Sequence, residues 1–418
     1  MRTTLRYGSG TLDAELPDDS TIVAPRYAPP LPAPGAAFRE ALASAAPLAS
    51  LDGNDDVAIV FSPRLPARLS AVAAAELLAA IEGRGASRSR ISLIIGRDLE
   101  FASAESDPIR MLGRGYRVIV HDPRDPDSLL FQQRYPGERR AGIYLSEAFQ
   151  SASARIVVGE AAPHFAAGWT QALAVLPGIA AAHNVARTFS VANLLHPEAR
   201  SGVSDGNPIF DDTVALAAAT DVRLALWLGT DFDGEATHVF TGGLEESIRD
   251  SIETLRPLHT ATVDGAFDVV VAGSAASTLA ATAPALAAAA ALIKPGGAIV
   301  LAAPCRDGLG DDDFRQTLAE APTIDGVWNR LIAPDFQREG QWFALHLFAA
   351  RRRAGTVHLQ STLPSDELHS AHLAPTQSIE TTLGELAMSH QFLHGEAPRV
   401  AVLPDGASII APRDAVRN

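Results

Sequence analysis

Short runs of almost continuous apolar residues alternate with longer runs of helical spacing along most of the chain. The clearest apolar runs are Val57–Phe61, Ile91–Ile95, Ala154–Val158, Leu224–Leu228 and Phe267–Gly273. Strands of a parallel sheet are covered on both faces and show this pattern, whereas half-exposed strands alternate apolar and polar residues. The pattern therefore predicts an α/β fold with mostly parallel sheets flanked by helices.

Three other segments carry local signals. Residues 3–16 predict a hairpin around a glycine-containing turn. The segment Phe165–Ala186, which glycine and proline punctuate, is predicted to be helical. A helix over Leu244–Leu255 is predicted to stop at Pro257, because proline removes a backbone donor and clashes with the preceding turn.

The chain is long enough for two hydrophobic cores, since 418 residues exceed the usual size of a single core. The apolar pattern restarts at Phe267, after the break at Pro257. We therefore predict an N-terminal domain of residues 1–262 and a C-terminal domain of residues 263–418. Small molecules commonly bind between domains, so the cleft between the two is the predicted active site.

Charge and composition narrow the class of function. The formal net charge is −15, with 34 basic and 49 acidic residues, and such a field repels nucleic acid. No apolar run reaches the roughly 18 to 20 residues of a membrane span. The single cysteine, Cys305, excludes an intrachain disulfide. We expect a cytoplasmic protein that acts on a small molecule and binds neither nucleic acid nor membrane.

A histidine follows the buried strand at Ala154–Val158, in the segment His164-Phe165-Ala166-Ala167-Gly168-Trp169. Open α/β folds bind ligands beyond the carboxyl ends of their strands. Imidazole titrates near neutral pH, so His164 is a candidate for proton transfer. The alternative is a structural histidine that caps a helix.

This segment, continued by Val175-Leu176-Pro177-Gly178-Ile179, resembles the core of the nickel-dependent lactate racemase family. Further matching segments are Pro197–Gly202, Asn207-Pro208-Ile209, Arg306-Asp307-Gly308, Gln341-Trp342 and Val402–Gly406. The resemblance implies two α/β domains and a nickel-pincer nucleotide, a pyridinium group that accepts a hydride from a 2-hydroxy acid. It also implies two histidines that exchange a proton with the substrate hydroxyl.

The resemblance assigns roles to particular residues. His164 matches one of the two histidines, and Trp342 matches a tryptophan on the substrate side of the cleft. The second histidine falls near Glu100, so His164 and Glu100 form the predicted acid/base pair. Gly168 and Gln171 lie in the segment that matches the cofactor-binding loop, and no metal-ligating set is predicted.

The chain also departs from the family pattern. The resemblance places the lysine that anchors the cofactor in the family at position 174, which is alanine in this chain. The methyl side chain of Ala174 excludes covalent attachment there. Lys294 is the single lysine of the chain and lies in a Lys-Pro-Gly-Gly segment, predicted to be a turn. Where the family has the motif Ser-Asp-His-Thr-Arg-Pro, this chain has Ser62-Pro63-Arg64-Leu65-Pro66. Arg64 of this segment is a candidate for substrate binding, and Arg200 is a second candidate.

Three functions remain open at this point. The first is a divergent racemase or epimerase that acts on a small 2-hydroxy acid with an altered or noncovalently held cofactor. The second is a noncatalytic relative that binds a ligand or regulates a partner. The third is a methyltransferase-like module, supported by Phe267–Gly273 and Leu292–Gly297, although Gly273–Ser277 lacks the expected glycine-rich turn.

Overall fold

The computed structural model describes residues 1–97, 115–132, 142–335 and 341–411, and in residues 341–343 the backbone alone. Strands and helices alternate along most of these ranges. The strands are β1 (Arg2–Tyr7), β2 (Gly10–Glu15), β3 (Thr21–Ile22), β4 (Val57–Phe61), β5 (Ile91–Ile95), β6 (Arg117–Val120), β7 (Leu129–Phe131), β8 (Tyr144–Ser146), β9 (Ala154–Glu160), β10 (Pro163–His164), β11 (Gly168–Trp169), β12 (Leu224–Thr230), β13 (Ala236–Gly242), β14 (Phe267–Gly273), β15 (Ile293–Ala302), β16 (Thr356–Gln360), β17 (Ala374–Pro375) and β18 (Val400–Leu403). The α-helices are α1 (Pro34–Ser44), α2 (Ala46–Ala49), α3 (Ala67–Glu82), α4 (Glu147–Gln150), α5 (Ala182–Thr188), α6 (Val191–Leu194), α7 (Pro208–Ala219), α8 (Leu244–His259), α9 (Ala283–Leu292), α10 (Asp312–Leu318), α11 (Ile324–Leu331), α12 (Gln341–Arg353), α13 (Ser365–Ser370) and α14 (Ile379–His394).

The chain forms two compact units. The early unit contains residues 27–162 and 166–258, and the late unit contains residues 1–26, 163–165 and the chain from His259 onward. Each unit is an α/β structure around its own sheet, so the predicted fold class is confirmed. No helix in the described ranges is long and apolar enough to cross a membrane.

The early unit is built on a sheet with the strand order β13-β12-β9-β4-β5-β6. Its strands are parallel except for β13, which runs antiparallel to β12. Helix α3 covers one face because Leu69, Ala73, Leu77 and Ile81 recur at four-residue spacing and form an apolar stripe. This stripe packs over apolar side chains of the central strands, as the sequence pattern predicts.

The late unit is built on a parallel sheet with the order β17-β16-β15-β14-β18-β3. The β1–β2 hairpin and helix α14 cover one face of this sheet. Leu5 of the hairpin and Ile379 and Leu383 of the helix join Val271 and Val300 in one apolar core. The predicted hairpin over residues 3–16 is confirmed.

The first 26 residues belong to the late unit, whereas the sequence prediction placed them in a domain of residues 1–262. Strand β3 extends the late sheet by pairing with β18, and β1 packs over its central strands. The physical reason is that a short edge strand finds its partner through tertiary contacts, which the order of the sequence does not display.

Several strands begin and end where the sequence predicts, including Val57–Phe61, Ile91–Ile95 and Phe267–Gly273. The helical prediction for Phe165–Ala186 is wrong. The segment contains a 3-10 turn at Gln171–Ala174, and an α-helix begins only at Ala182. Gly168 has a left-handed backbone, with φ of 77°, and Pro177 lacks an amide hydrogen, so a continuous helix is disfavoured.

Two other local predictions are wrong. Helix α8 continues through Pro257 to His259, because a proline in the last turn removes only one hydrogen bond near the helix end. The predicted turn at Lys294–Gly297 lies inside β15, where the pairing with β14 shifts register. Gly296, with φ of 80°, accommodates the irregular backbone at this point.

Candidate functional site

In the early unit, the direction in which successive strands are added to the sheet reverses between β4 and β9. From β4 the chain builds β5 and β6 on one side and then returns to build β9 and β12 on the other. Ligands of open α/β sheets bind beyond the carboxyl ends of the strands at such a reversal. Arg64 follows the end of β4 and Glu160 is the last residue of β9, so both lie at this position.

Arg64 and Glu160 form a largely buried ion pair. The Arg64 Nε atom lies 3.8 Å from a Glu160 carboxylate oxygen, and their side chains are 10% and 17% exposed. A buried cation needs a partner, because burial removes its hydration. The positive charge of Arg64 is therefore balanced within the early unit, and a substrate carboxylate would have to share this guanidinium with Glu160.

In the late unit, the direction in which strands are added to the sheet reverses between β14 and β18. Strand β1 packs over the carboxyl ends of these two strands. The Arg6 amide donates to the Pro404 carbonyl oxygen, and the Ser274 amide donates to the Arg6 carbonyl oxygen. A Cβ atom on Gly273 would lie 2.4 Å from the Pro404 oxygen, so only glycine permits this close approach. The predicted hairpin thus packs directly against the carboxyl end of the late sheet.

Asp405 lies beside this reversal and is 15% exposed. Burial raises the pKa of its carboxyl group. Three contacts lower the pKa: the Arg6 guanidinium at 4.0 Å, and hydrogen bonds that the Ala407 amide and the Ser408 hydroxyl donate to the carboxylate. The net result is a raised pKa, because the loss of water outweighs these contacts.

His164 belongs to the late unit and is 2% exposed. Together with Pro163 it lies beside the 3-10 turn Gly406–Ser408, which follows strand β18. His164 follows β9 in the sequence, and the fold brings it to the carboxyl end of the late sheet. His164 does not cap α5, the next α-helix along the chain, because the residue that precedes that helix is Ala181.

A second histidine approaches His164 through an aromatic contact. The Phe165 ring centroid lies 4.6 Å from the His164 ring and 4.7 Å from the His346 ring. Phe165 and His346 meet edge to face, at an interplanar angle of 86°. His346 comes from helix α12, so two imidazoles far apart in the sequence flank one phenyl ring in the late unit.

The loop that carries Gly168 and Gln171 is buried in the early unit. A Cβ atom on Gly168 would lie 1.9 Å from the Val203 carbonyl oxygen, so this position requires glycine. The Gln171 side-chain amide donates to the Ser251 hydroxyl at 2.7 Å, and the side chain is 1% exposed. Its Oε1 atom is buried without a hydrogen-bond partner among the described residues.

The remaining predicted residues are placed as follows. Arg200 lies in the loop between α6 and α7 and is 3.5 Å from a Glu198 carboxylate oxygen. The Trp342 backbone lies in α12, but its side chain is outside the described residues. Glu100 is also outside them. The predicted pairing of His164 with Glu100 therefore stays a prediction.

Sequence reasoning missed Glu160, His346 and Asp405. Glu160 follows Val158 and Gly159 at the end of a buried strand, so its place at a strand end could have been found. Asp405 lies in the Val402–Gly406 segment that resembles the family, but the sequence assigned it no role. His346 carried no signal beyond being a polar residue in an apolar helix.

Two family models match separate parts of the chain. The model described as the lactate racemase N-terminal domain matches residues 7–202, and the one described as the lactate racemase C-terminal domain matches residues 279–411. Together they span most of the sequence and both compact units. The chain belongs to the lactate racemase family.

Lactate racemases from two organisms are similar to this family member in sequence. The enzyme from Thermoanaerobacterium thermosaccharolyticum is 23% identical over 301 residues, which are 70% of this chain and 69% of that protein. The enzyme from Lactiplantibacillus plantarum is 22% identical over 332 residues, which are 77% of each.

Two solved structures are similar in fold. The lactate racemase apoprotein from T. thermosaccharolyticum superposes with a TM-score of 0.84 at 20% identity, over 99% of this chain and 100% of that one. A protein from Thermotoga maritima superposes with a TM-score of 0.66 at 15% identity, over 90% of this chain and 98% of that one. The two-domain α/β fold of the family is therefore present.

The residues of this chain do not fit a lysine-anchored cofactor. Ala174, where the family resemblance places the anchoring lysine, is 1% exposed, and a Cβ atom on Gly178 would lie 2.0 Å from the Ala174 carbonyl oxygen. The Lys294 ammonium is 2.8 Å from Asp268, at the strand starts of the late sheet and thus opposite the end that His164 approaches. Among the described residues, no group of three or more His, Cys, Asp or Glu side chains can hold a metal ion.

Proposed function

We propose that this lactate racemase family member binds a small 2-hydroxy acid and interconverts its enantiomers as a divergent isomerase. The observation that carries the proposal is His164, which is buried and lies within a segment shared with the family. Membership of the family supports the substrate class, because the curated relatives are lactate racemases. Any pyridinium cofactor would be held without a bond to lysine, since Ala174 offers no amine.

His164 supplies proton transfer in this proposal. Its imidazole would accept the proton of the substrate hydroxyl and return it at the end of the reaction. The change of configuration itself requires the C2–H bond to break and re-form on the other face, and a noncovalently held pyridinium group would supply the hydride acceptor for this. Burial supports this role, because a positioned acid or base in a water-excluded site typically contributes about 10²- to 10⁴-fold in rate. Arg64 is the proposed partner of the substrate carboxylate, and binding would require it to divide its hydrogen bonds between that group and Glu160.

A noncatalytic member of the family, which binds the acid without converting it, is the second candidate. Two observations favour it: the methyl group at Ala174, where the family has its anchoring lysine, and the ion pair that occupies Arg64. The first removes an attachment point for the cofactor, and the second leaves less of the Arg64 guanidinium for a substrate carboxylate. Both candidate functions include binding of the 2-hydroxy acid, but only the isomerase converts one enantiomer into the other.

The test uses protein produced with and without the enzymes that make the pyridinium cofactor. Each enantiomer of lactate, glycerate and 2-hydroxybutyrate is incubated with the protein, and the products are separated by chiral chromatography. We expect interconversion of at least one acid and a loss of about 100-fold or more in His164→Gln. His183→Gln is the matched control, because His183 also contacts an aromatic ring but belongs to the early unit, whereas His164 belongs to the late unit.

Binding of an acid without interconversion would favour the noncatalytic candidate, and neither binding nor interconversion would contradict both. The intact mass of the protein made with the cofactor enzymes tests the mode of attachment. We expect the mass of the unmodified chain, because no lysine stands at the family position.

A further inference from the structure

Strand β13 lies at one edge of the early sheet and is open along most of its outer side. It pairs with β12 on its inner side, and the Leu31 amide donates to the Ala236 carbonyl oxygen at its start. Within the described ranges, no segment other than β12 hydrogen-bonds to the backbone of residues 238–242. An edge strand in this state presents amide and carbonyl groups with which a further strand can pair.

The sequence of β13 lacks the features that usually protect a sheet edge. Natural edges are blunted by lysine, other charged side chains, proline or bulges. The strand, Ala-Thr-His-Val-Phe-Thr-Gly, contains no acid, lysine, arginine or proline, and the register shift opposite Gly229 and Thr230 is confined to its start. The remainder of the strand therefore stays available for pairing.

A groove of about 540 Å³ follows this edge between helices α1 and α8. Both faces of β13 contribute to its lining. Val239 packs with the apolar core that includes residues of α1, and the His238 and Phe240 rings, which alternate with it, stack at a centroid distance of 5.8 Å. Because side chains of both faces line the groove, the edge of the strand forms its floor.

The groove has a carboxylate on each wall and no arginine or lysine in its lining. Glu40 lies on α1 and Asp250 on α8, and both are exposed. Asp250 lies 3.9 Å from Arg249, but both side chains are more than half exposed, so this pair is weak. Burial lowers the pKa of His238, so its imidazole does not offset the acids. The Thr241 hydroxyl is buried and lacks a hydrogen-bond partner among the described residues.

We propose that this groove binds an extended, basic segment of a partner protein, which adds a strand to the early sheet beside β13. Successive side chains of a strand point to opposite faces. One basic side chain therefore reaches Glu40, and another, an odd number of positions away, reaches Asp250. A second copy of this chain is disfavoured, because pairing of β13 with itself would bring acidic walls together. Arg64 and Glu160 lie outside the lining, so this binding is independent of the proposed reaction.

The test titrates the full-length protein with two labelled hexapeptides of equal composition. Acetyl-Thr-Arg-Val-Thr-Arg-Val-amide places its arginines on opposite faces of a strand, and acetyl-Thr-Arg-Val-Arg-Thr-Val-amide places both on one face. We expect the first to bind about five-fold more tightly in fluorescence anisotropy, and to slow hydrogen exchange at residues 238–242. Equal affinities, no saturable binding up to about 1 mM, or unchanged exchange at these residues would overturn the proposal.

Three variants test the contacts. Glu40→Gln and Asp250→Asn should each weaken binding of the first peptide by about three-fold, whereas Asp366→Asn, a matched exposed acid on α13, should leave it unchanged. Thr241→Val should weaken binding without lowering the unfolding temperature, because it removes a buried hydroxyl that has no partner in the unbound protein. Unchanged affinity in all three variants would overturn the proposal.

Two further measurements distinguish other occupants of the groove. Arginine amide that binds as tightly as the first peptide would show a site for small cations. A dimer of the unbound protein in analytical ultracentrifugation, dissociated by the first peptide, would show that a second copy occupies the edge. Either result overturns the proposal, and we expect a weaker arginine amide and no peptide-sensitive dimer.

Discussion

At the scale of single residues, Lys294 shows how a position in the fold settles a role that the sequence left open. Its ammonium lies 2.8 Å from Asp268 Oδ1, while the Arg399 amide donates to Asp268 Oδ2. The His390 Nε2 atom lies 3.4 Å from the same carboxylate. Asp268 therefore ties together the starts of β14, β15 and β18, and Lys294 supplies the contact from β15.

Asp268 should make the protein less stable as the pH falls into the acid range. Burial raises the pKa of Asp268, but the hydrogen bonds from Lys294 and the Arg399 amide outweigh it and leave the pKa lowered. A lowered pKa in the folded state stabilises the fold above the unfolded value of about 3.9, and this stability is lost as the pH falls through the folded value. We expect Asp268→Asn to lose about 2 kcal/mol of unfolding free energy at pH 7 and progressively less as the pH falls below about 3.9.

Urea unfolding of the parent and Asp268→Asn at several pH values measures this difference. Asp335→Asn is the control, because Asp335 also pairs with a cation but is 76% exposed. We expect no measurable change for this exposed pair. A loss in Asp268→Asn that did not shrink in acid would contradict the assigned role of the carboxylate charge.

At the scale of elements, the segment from Phe165 to Ala186 depends on close backbone packing. Its 3-10 turn brings the Gly178 amide to the Leu173 carbonyl oxygen. A Cβ atom on Gly178 would lie 2.0 Å from the Ala174 oxygen and 2.9 Å from the Leu173 oxygen. Backbone atoms cannot move aside as a flexible side chain can, so this turn holds its shape only with glycine.

We predict opposite effects for two glycine substitutions. Gly178→Ala should lower the unfolding free energy by about 3 kcal/mol, because the added methyl overlaps the backbone. Gly384→Ala should raise it by roughly 0.5 to 1 kcal/mol, since Gly384 lies within α14 with no atom within 4 Å of the added Cβ. Urea unfolding midpoints measure both, and a Gly178→Ala protein as stable as the parent would disprove the tight turn.

At the scale of the whole molecule, the late unit is assembled from distant parts of the sequence. Residues 1–26 supply β3, which pairs with β18, and the hairpin residues Leu5, Ala14 and Leu16, which enter the late core. A fragment that began at the predicted boundary would expose that core and leave the edge of β18 without its partner.

We therefore predict different behaviour for two fragments. Residues 259–411 alone should not unfold cooperatively, because they lack the hairpin that covers the sheet. The same residues preceded by residues 1–26 and a flexible linker should show a cooperative transition in circular dichroism. Equal cooperativity and equal midpoints for the two fragments would show that the hairpin adds nothing to this core.

The sequence predicted more of the fold than of the candidate site. Buried parallel strands such as β4 and β14 were predicted to the residue, because continuous apolar runs reflect burial on both faces. His164 was found because its neighbours match a family segment. His346, whose ring meets Phe165 edge to face, was not singled out, since a single polar residue in an apolar helix has no local signature.

The sequence by itself determined the fold class, the family, His164 and the absence of a lysine at position 174, because each depends on residue identity or local pattern. The tertiary structure decided which residues share a space: β1 with the late sheet, Arg64 with Glu160, Lys294 with Asp268 and His346 with Phe165. These contacts join positions far apart in the chain. Their energies depend on distance and burial, which only the folded chain defines.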